Sequence, residues 1–468
     1  MNKLVKNMAR PIIEEFAQEI ANARSEVAND TVIKFRDDKV TNRVRKAYKI
    51  PIELLRFRKD NGRIASDVMT YEKDKGSLNE TTDFGQLEIK KFLARKDPDP
   101  TKELINSISK EGQEVIAIAT ADGFLIDGNR RKMVLEELLD KHKTDQRFKY
   151  LRVVLLPGLN ENEPPPTNEE IEQIENRYQF QRTGKAEYYN FDMALAVKRK
   201  LDLGMSLEEI LLDDPNYEGL SGKALQKKIQ DFKEEYIEPL RCVDKYLEEL
   251  KRPGHYNTIS EGRGDKEGRW QAFLDYYKVV FKKIKNDTER IKLGIQDGEE
   301  GKVENIAFKI IRKRVLQGVD KKAHEIIRQL PKLLSNPEAK KELFKLSKIE
   351  FDLPPDDILD EEGNEVDEKT KDTIWANKYA SDVIHHVRKA IDIFDQKKEH
   401  DTPIDLLNQS LDKLNHSNMD IDAIELDRLD DAMKLSREIQ SRANELEHLM
   451  YELKKGKKKL ADKFKKNK

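Results

Sequence analysis

The sequence predicts an α+β fold, in which a small mixed domain is followed by a mostly helical body and a C-terminal coiled-coil-like helix. Over residues 101–155 the patterns run helix, strand, turn, strand, tight loop, helix and strand, an order typical of a small sheet covered by helices. From residue 169 onward, apolar residues recur mostly at helical spacing. Over residues 420–453 they follow alternating steps of three and four residues, which indicates a coiled-coil seam.

Composition sets the broad class of protein. Of the 468 residues, 37% are hydrophobic and 38% are charged, which suits several small helical layers with large solvated faces better than one large core. The 88 basic and 90 acidic residues give a formal net charge of -2, so a surface that binds nucleic acid must be a local patch. No stretch approaches the roughly 20 apolar residues of a membrane helix, and we expect a cytoplasmic protein without a membrane partner.

The single cysteine and the paired histidines predict little metal chemistry. Cys242 alone excludes an intrachain disulfide and a cysteine-rich metal site, and its helical surroundings predict a buried side chain. His385 and His386 are adjacent in a helical pattern and project to different faces. We therefore expect one to face inward and the other outward, which makes a poor site for a shared metal ion.

The N-terminal third divides into an extension and the small mixed domain. Residues 1–47 form a helical extension, and residues 48–160 form the mixed domain. Within that domain, residues 64–100 are polar and are interpreted as an insertion with a helix near 84–94. A proline-rich linker at 157–169 follows, since a run of prolines continues neither a helix interior nor a strand.

The remainder of the chain is predicted to be helical. Residues 169–250 and 270–350 form two helical regions, residues 373–453 form C-terminal helices, and residues 454–468 form a basic tail with nine lysines. The C-terminal seam either joins two copies of the chain in a homodimer or packs back on the chain's own helices. Its a and d positions are Leu429, Ala432, Ser436, Ile439, Ala443, Leu446, Met450 and Leu453.

Within the mixed domain, individual residues set the ends of the predicted elements. Thr101 is the expected N-cap of a helix that Gly112 ends. The other predicted elements are strands at 115–119, 124–126 and 151–155 and a helix over 130–139.

The main candidate site is the loop Asp127-Gly128-Asn129-Arg130-Arg131, between the second of these strands and the helix that follows. Backbone N–H groups at a helix N-terminus are unsatisfied and attract anions, and arginine offers phosphate oxygens a planar, permanently charged fork. Asp127 or Asn129 would hold a metal ion or orient a water molecule. The pattern suits a di- or triphosphate, although the two arginines equally suit a structural role in which they pair with nearby carboxylates.

With its neighbours, this loop resembles the ParB/sulfiredoxin-like N-terminal domain family. In order, that family carries an Asn-Pro-Arg-like turn, a helix with a Ser-Ile pair and a glycine, a strand, a Gly-Glu-Arg-Arg loop at a helix start, and a Glu-Asn-x-Gln-Arg-like motif. The resemblance covers roughly residues 48–240. The corresponding residues here are Asn61-Gly62-Arg63, Ser107-Ile108 with Gly112, the segment 115–118, Gly128-Asn129-Arg130-Arg131, and Glu175-Asn176 with Gln181-Arg182.

The resemblance implies a fold that cradles a nucleotide triphosphate, CTP or ATP, with Mg²⁺. It further implies a helix-turn-helix-like region at 204–236, DNA contact by residues 185–236, and dimerisation through the C-terminus. The residues implied to contact phosphates are Gly112, Gly128, Arg130 and Arg131; those implied to approach the triphosphate or its Mg²⁺ are Glu175 and Asn176; further pocket candidates are Asn61, Arg63, Gln181 and Arg182.

One departure from the family pattern bears on activity. Asn129 stands where the family loop has a glutamate, and a neutral amide cannot act as a general base. Hydrolysis would then require the carboxylate of Asp127, so the catalytic candidates are Asp127 and Asn129. The loop is also similar to the Asp-Gly-Gln-type loop of ParB-related proteins in phage-defence systems.

These observations predict a nucleotide-dependent, ParB-like DNA-binding protein. One alternative is an NTPase or an NTPase-coupled nuclease of a phage-defence system. Another is a non-catalytic interaction scaffold with a vestigial pocket.

Overall fold

The computed structural model describes residues 8–26, 31–33, 35–36, 44–96, 98–159, 161–180, 190–212, 217, 219–259, 269–319 and 321–466. The chain divides into two compact units, Met1–Phe394 and Asp395–Lys468. The first unit combines a small mixed sheet with many helices. The predicted α+β class is therefore confirmed.

The strands of the first unit form one mixed sheet and one small pair. They are β1 (Ser25–Glu26), β2 (Thr31–Val32), β3 (Val44–Arg45), β4 (Ala47–Pro51), β5 (Ala117–Ala119), β6 (Leu125–Asp127) and β7 (Tyr150–Leu155). The five-stranded sheet has the order β1-β4-β7-β5-β6, and β2 pairs with β3. Strand β5 runs parallel to β7, whereas the other paired strands are antiparallel. This sheet places β5 and β6 at the edge from which the candidate loop leaves.

Several helices surround this sheet: α1 (Glu14–Ala23), α2 (Ala65–Lys75), α3 (Asp83–Arg95), α4 (Pro98–Glu111) and α5 (Asn129–Lys141). Ile20 of α1, Ile108 of α4 and Val134 of α5 are buried in one apolar cluster with residues of the sheet. A second cluster joins α2 and α3 to α5, and it includes Phe57 and Met133. The helix predicted near 84–94 is thus α3, which packs on α5 and thereby supports the candidate loop.

The segment that precedes α1 is fixed to the turn between β5 and β6. The Arg10 guanidinium donates to both oxygens of the Asp122 carboxylate, at 3.0 and 2.9 Å. The Ile13 N–H donates to the same carboxylate at 3.1 Å, and Asp122 is fully buried. Residues interpreted from the sequence as an N-terminal extension therefore contribute contacts, a helix and the edge strand β1 to the sheet domain.

The start of α4 differs from the prediction. The helix begins at Pro98, so the expected N-cap Thr101 lies inside it, and that N-cap prediction was wrong. Proline suits the first turn of a helix because its fixed φ is helical and its missing N–H is not needed there. The predicted end is confirmed: the helix stops at Glu111, and Gly112 follows with a φ of +80°.

The helical body follows the sheet domain. Its helices are α6 (Asn168–Phe180), α7 (Asn190–Asp202), α8 (Leu207–Leu212), α9 (Gly222–Phe232), α10 (Glu238–Glu249), α11 (Trp270–Asp275), α12 (Lys282–Ile284), α13 (Asp287–Lys292), α14 (Glu300–Lys313), α15 (Ala323–Leu334), α16 (Pro337–Leu343), α17 (Glu368–Lys378) and α18 (Ala380–Leu414). π-helical turns at Lys233–Ile237 and Tyr276–Phe281 join α9 to α10 and α11 to α12. Shorter 3₁₀ turns lie at Ile52–Leu54, Gly62–Ile64, Gln146–Phe148, Tyr256–Thr258, Phe344–Lys348, Pro355–Ile358 and Leu426–Arg428.

Aromatic side chains form the centre of the body. Trp270, Phe273 and Tyr276 are fully buried in a cluster that also contains Tyr246. Cys242 is buried, as predicted, and it belongs to the same cluster. Its burial raises the pKa of the thiol to about 12.

Charged residues are also buried in the body. The Asp372 carboxylate lies 2.7 Å from Arg252, 2.7 Å from Arg269 and 2.9 Å from Arg312, and all four side chains are buried. These residues belong to four different segments, so the cluster ties α14 and α17 to the loops before α11. A buried carboxylate surrounded in this way is strongly held, because removing it would leave buried cations unpaired.

The second unit contains the end of α18 and a long helix, α19 (Leu429–Lys466). α18 contains Pro403 in its interior. On α19, the seam residues Ile439, Met450 and Leu453 are 48%, 50% and 60% exposed. The seam is therefore an apolar surface on a helix that continues into the predicted basic tail.

Across the described parts of the chain, no helix has both the length and the apolar character that crossing a bilayer requires.

Candidate functional site

A cavity of about 500 Å³ brings together residues from separate parts of the chain. It is bounded mainly by α4 and the residues that follow it, the start of α5 and the segment at 61–63. The predicted site residues that line it are Asn61, Arg63, Gly112, Asp127, Gly128, Asn129, Arg130 and Arg131. Its other lining residues include the apolar Leu93, Leu104, Ile108, Val115 and Ile126, together with Tyr178, Glu103, Ser107, Gln113 and Glu114.

The loop that leaves β6 requires a glycine. Gly128 has a φ of +111°, in the left-handed region that side chains disfavour. A Cβ atom at this position would lie 2.6 Å from the Cβ atom of Ala117 on β5. The absence of a side chain therefore lets the start of α5 approach the sheet, and its first-turn residues line the cavity.

Arg131 is held by the protein itself. Its guanidinium donates to the Asp127 carboxylate at 2.6 Å and to the carbonyl oxygen of Val115 at 2.9 Å. Its side chain is 10% exposed. The contacts of Arg131 thus match the structural role that the sequence left open, in which an arginine of this loop pairs with a nearby carboxylate. Arg130 is half-buried at the cavity wall.

Asn129 is also engaged inside the protein. Its amide oxygen accepts a hydrogen bond from the Arg58 backbone N–H at 3.3 Å, and its amide nitrogen donates to the carbonyl oxygen of Leu125 at 3.0 Å. The residue is 4% exposed. Both ends of the amide therefore fix the helix start to neighbouring backbone, and the catalytic role predicted for Asn129 stays a prediction.

The Asn61-Gly62-Arg63 segment forms another part of the cavity wall. The Asn61 amide oxygen accepts a hydrogen bond from the Arg63 N–H at 3.0 Å and caps a 3₁₀ turn that leads into α2. Asn61 is 4% exposed, whereas Arg63 is half-buried. This segment presents one cationic side chain to the cavity on a locally fixed backbone.

Glu175 lies behind this wall rather than among the residues that line the cavity. One of its carboxylate oxygens accepts a hydrogen bond from the Gly62 N–H at 2.8 Å. The other lies 3.3 Å from Arg58 and 3.2 Å from Arg199. Glu172 pairs with the same two arginines at 2.5 and 2.6 Å. Contact of Glu175 with a triphosphate or Mg²⁺ stays a prediction, since its oxygens already face donors of the protein.

Asn176 follows the same pattern, and two further predicted residues cannot be placed. The Asn176 side chain is 2% exposed, and its amide oxygen accepts a hydrogen bond from Lys200 of α7. Gln181 and Arg182 lie outside the described residues. The ParB-like motif on α6 is thus described at its first two residues, and both have partners within the protein.

Sequence reasoning missed Arg58, Glu172 and Arg199. Glu172 and Glu175 are three residues apart on α6, a spacing that places both carboxylates on one helix face. That spacing was a usable signal for a pair of acidic residues that require buried cations. Arg58 and Arg199 carried no comparable signal, because they come from distant parts of the chain.

The charges of this cluster shift the titration of Glu172. Burial alone would raise its pKa, but the positive charges of Arg199, Arg58 and Lys200 outweigh burial and lower the pKa to about 2. Glu172 is therefore ionised throughout the physiological range, as a partner of two guanidinium groups should be.

A second cavity of about 390 Å³ lies between α3 and α5. Its lining includes Phe57, Leu87 and Lys132. Burial lowers the pKa of Lys132, while the charge of Glu136 opposes that shift. Lys132 donates a hydrogen bond to Glu136 and lies 4.1 Å from the Phe57 ring centroid, so its ammonium group is held in place.

One cluster in the described residues has metal-ligand types, namely Glu342, His385 and His386, whose ligand atoms lie within 4.8 Å of one another. His386 is 2.8 Å from the Glu342 carboxylate, and His385 is exposed. Lys345 donates to the same carboxylate at 2.7 Å, and Lys389 lies 3.6 Å from it. Two ammonium groups thus already compensate the charge of this carboxylate.

Comparison of the chain with protein-family models, curated proteins and solved structures finds no match. The resemblance of residues 48–240 to the ParB/sulfiredoxin-like family therefore stays a prediction from the motifs.

Proposed function

We propose that the chain is a nucleotide-dependent, ParB-like DNA-binding protein, with a ParB/sulfiredoxin-like domain whose cavity binds the phosphates of CTP or ATP. The observation that carries this proposal is the meeting of three distant segments, represented by Arg63, Gly112 and Arg130, around one cavity. Each segment belongs to a motif for which the family resemblance implies a place at the nucleotide pocket. The cavity volume of about 500 Å³ lies within the range of small-molecule sites.

The chemistry of the cavity suits a phosphorylated ligand with an apolar part. Arg63 and Arg130 supply guanidinium groups, and the start of α5 supplies N–H groups for phosphate oxygens. Leu104 and Ile108 of α4 offer an apolar wall against which a nucleobase would pack.

Mg²⁺ fits this donor set. Magnesium sites commonly combine one or two carboxylates with phosphate oxygens and water. Asp127 offers a carboxylate at the cavity wall, and it is held at 2.6 Å from Arg131. When bound, the ion would neutralise phosphate charge, and Asp127 is the residue that we expect to hold it.

Nucleotide binding is tested by thermal unfolding with CTP, ATP, GTP or UTP in the presence of Mg²⁺. A ligand at about 100 times its Kd stabilises the folded state by about 2.7 kcal/mol, which raises the unfolding temperature measurably. We expect such a shift with CTP or ATP, and its loss in Arg130→Ala. The matched control is Arg147→Ala, because Arg147 is exposed, pairs with Asp145 and does not line the cavity. No shift with any nucleotide would contradict the proposal and favour a scaffold with a vestigial pocket.

The proposed DNA surface lies on the helices that follow α6. The Ser206 hydroxyl accepts a hydrogen bond from the Glu209 N–H at 3.2 Å, and the Glu209 carboxylate accepts one from the Ser206 N–H at 2.7 Å. α8 therefore begins with a capping box. A short apolar cluster joins α7 to α8 and to Phe232 at the end of α9. α9 carries exposed lysines in its first two turns: Lys223, Lys227 and Lys228.

Salt dependence tests this surface directly. Every phosphate that a protein neutralises on duplex DNA contributes about 0.9 to the slope of log K against log salt. We expect Lys227→Ala/Lys228→Ala to weaken duplex DNA binding and flatten that slope by about 2. Lys251→Ala, at an exposed lysine that pairs with Asp352, is the control. An unchanged slope in the double variant would exclude α9 as the DNA surface.

Dimerisation through α19 is the third part of the proposal. Ile439 and Met450 are exposed members of a seam with coiled-coil spacing. Light scattering should detect a dimer of the full chain, and Ile439→Glu should convert it to a monomer. Gln440→Glu, one residue outside the seam, should leave the dimer intact. A monomeric full chain at all concentrations would contradict this part.

Hydrolysis requires a separate measurement, because Asp127 is the sequence candidate for the base and is ion-paired with Arg131. If the protein is an NTPase, Asp127→Ala should lose turnover while Arg130 still permits binding. Turnover that is unchanged in Asp127→Ala would exclude the role proposed for this carboxylate.

A further inference from the structure

We propose that Glu175 is a positioning residue that fixes the cavity wall at Asn61 and Arg63 from inside the protein. The inference rests on the proposed function insofar as the cavity binds a nucleotide. It differs from the role implied by the family resemblance, because Glu175 would act through backbone and arginines rather than on the ligand or its metal.

The Glu175 carboxylate accepts a hydrogen bond from the backbone of Gly62. The Gly62 N–H donates to the Glu175 carboxylate at 2.8 Å, and both residues are buried. Gly62 is the first residue of the 3₁₀ turn, where a backbone N–H has no partner within the turn. Its neighbours Asn61 and Arg63 both line the cavity. The carboxylate therefore sets the position of the backbone from which the Arg63 side chain reaches the site.

Buried contacts also connect the 61–63 wall of the cavity to the loop at 127–131. The other oxygen of Glu175 lies 3.3 Å from the Arg58 guanidinium. The backbone N–H of Arg58 donates to the Asn129 amide oxygen at 3.3 Å, and Asn129 belongs to the loop with Arg130. Glu175 and Arg58 thus join the two cationic walls of the cavity through buried groups.

The charged side chains around Glu175 pair with one another. Glu172 and Glu175 face Arg58 and Arg199, so each guanidinium group has carboxylate partners. Arg199 lies on α7, whose Leu195 is part of the core of the helical body. A cluster of paired, largely buried charges is rigid, because displacing one member leaves its partners unpaired in a medium of low dielectric constant.

Glu172 provides a matched control for Glu175. The two are three residues apart on α6, are equally buried, and hold the same two arginines. Among the described residues, Glu172 is not seen to contact the 61–63 segment, whereas Glu175 accepts the Gly62 N–H. Both substitutions remove one charge from the same cluster, and the contact with Gly62 distinguishes them.

The experiment measures nucleotide affinity and unfolding temperature of the full chain for Glu175→Ala, Glu175→Gln and Glu172→Ala, with Mg²⁺ and with EDTA. We expect Glu175→Ala to weaken binding by about tenfold, the scale of removing one buried hydrogen bond, while Glu172→Ala changes affinity by less than about threefold. Both alanine variants should unfold at lower temperature. Glu175→Gln should retain most of the affinity, since its amide oxygen still accepts the Gly62 N–H, and it serves if the alanine variants fail to fold.

The Mg²⁺ dependence separates positioning from metal binding. A positioning residue lowers affinity by the same factor with Mg²⁺ and with EDTA. A loss of nucleotide affinity that appears with Mg²⁺ but not with EDTA would make Glu175 a metal ligand and overturn the proposal. A loss of affinity that is equally large in Glu175→Gln would do the same. Equal weakening by Glu172→Ala would overturn it too, because the effect would then belong to the charge cluster as a whole.

A ligand-free measurement keeps this inference distinct from the proposed function. Amide hydrogen exchange at residues 61–64 should be faster in Glu175→Ala than in wild type, and unchanged in Glu172→Ala. If wild type binds no nucleotide, the proposed function fails while the exchange result still decides the positioning role. Equal exchange at 61–64 in all variants would overturn the positioning role itself.

Discussion

Gly128 and Ala117 approach so closely that a Cβ atom on the glycine would lie 2.6 Å from the Cβ atom of the alanine. Gly128 also has a φ of +111°. Gly128→Ala therefore combines backbone strain with overpacking, and we expect it to lower the free energy of unfolding by about 2–4 kcal/mol. Chemical denaturation of the variant measures this loss.

Gly294→Ala is the matched control for that substitution. Gly294 has a φ of +65°, but a Cβ atom there would meet nothing within 4 Å. Its alanine variant should lose about 1–2 kcal/mol, from backbone strain alone. Equal losses of unfolding free energy at the two glycines would show that the contact with Ala117 does not destabilise Gly128→Ala.

The two arginines of the candidate loop should separate binding from stability. Arg131 holds Asp127 and the Val115 carbonyl, so Arg131→Ala should lower the free energy of unfolding by about 1–3 kcal/mol. Arg130 is half-buried at the cavity, and its alanine variant should lose about 1 kcal/mol or less while losing nucleotide binding. Denaturation and ligand titration of both variants test this division, and the reverse pattern would contradict it.

Asp372 should be among the most sensitive positions of the helical body. Asp372→Asn removes the charge that faces Arg252, Arg269 and Arg312, so we expect a loss of about 3–5 kcal/mol in the free energy of unfolding. Asp352→Asn is the control, because Asp352 is exposed and pairs with Lys251 at the surface. A loss below about 1 kcal/mol at Asp372 would mean that the arginines are satisfied by backbone carbonyls instead.

Stability should fall on acidification because of Glu172. Arg199, Arg58 and Lys200 outweigh burial and hold its folded-state pKa at about 2, below the ordinary value of 4.5. A carboxylate with a depressed pKa stabilises the folded state above the unfolded-state value, and that contribution is lost as the pH falls from about 4.5 towards 2. Unfolding free energies measured across this range should decline less in Glu172→Gln than in wild type. Parallel curves would contradict the assignment.

The sequence predicted the cavity loop better than it predicted the support of that loop. Strand, glycine and helix start at Asp127–Asn129 follow from local patterns, as does the end of α4 before Gly112. Thr101 was wrong because capping preference competes with proline at the first turn, and Pro98 determines the start. Arg58 was missed because its partners are more than 100 residues away, and no local pattern carries such a pairing.

The ties between Arg10, Ile13 and Asp122 limit how the sheet domain can be shortened. A fragment beginning at residue 48, where the motifs begin, would lack Arg10 and Ile13 and leave the Thr120 hydroxyl as a donor to the fully buried Asp122 carboxylate. It would also lack Ile20 from the core and β1 from the sheet edge. A buried carboxylate without its cation and an apolar hole destabilise a fold, and an open edge strand favours aggregation. Anyone isolating this domain for crystallisation or labelling should keep the chain from Arg10 onward.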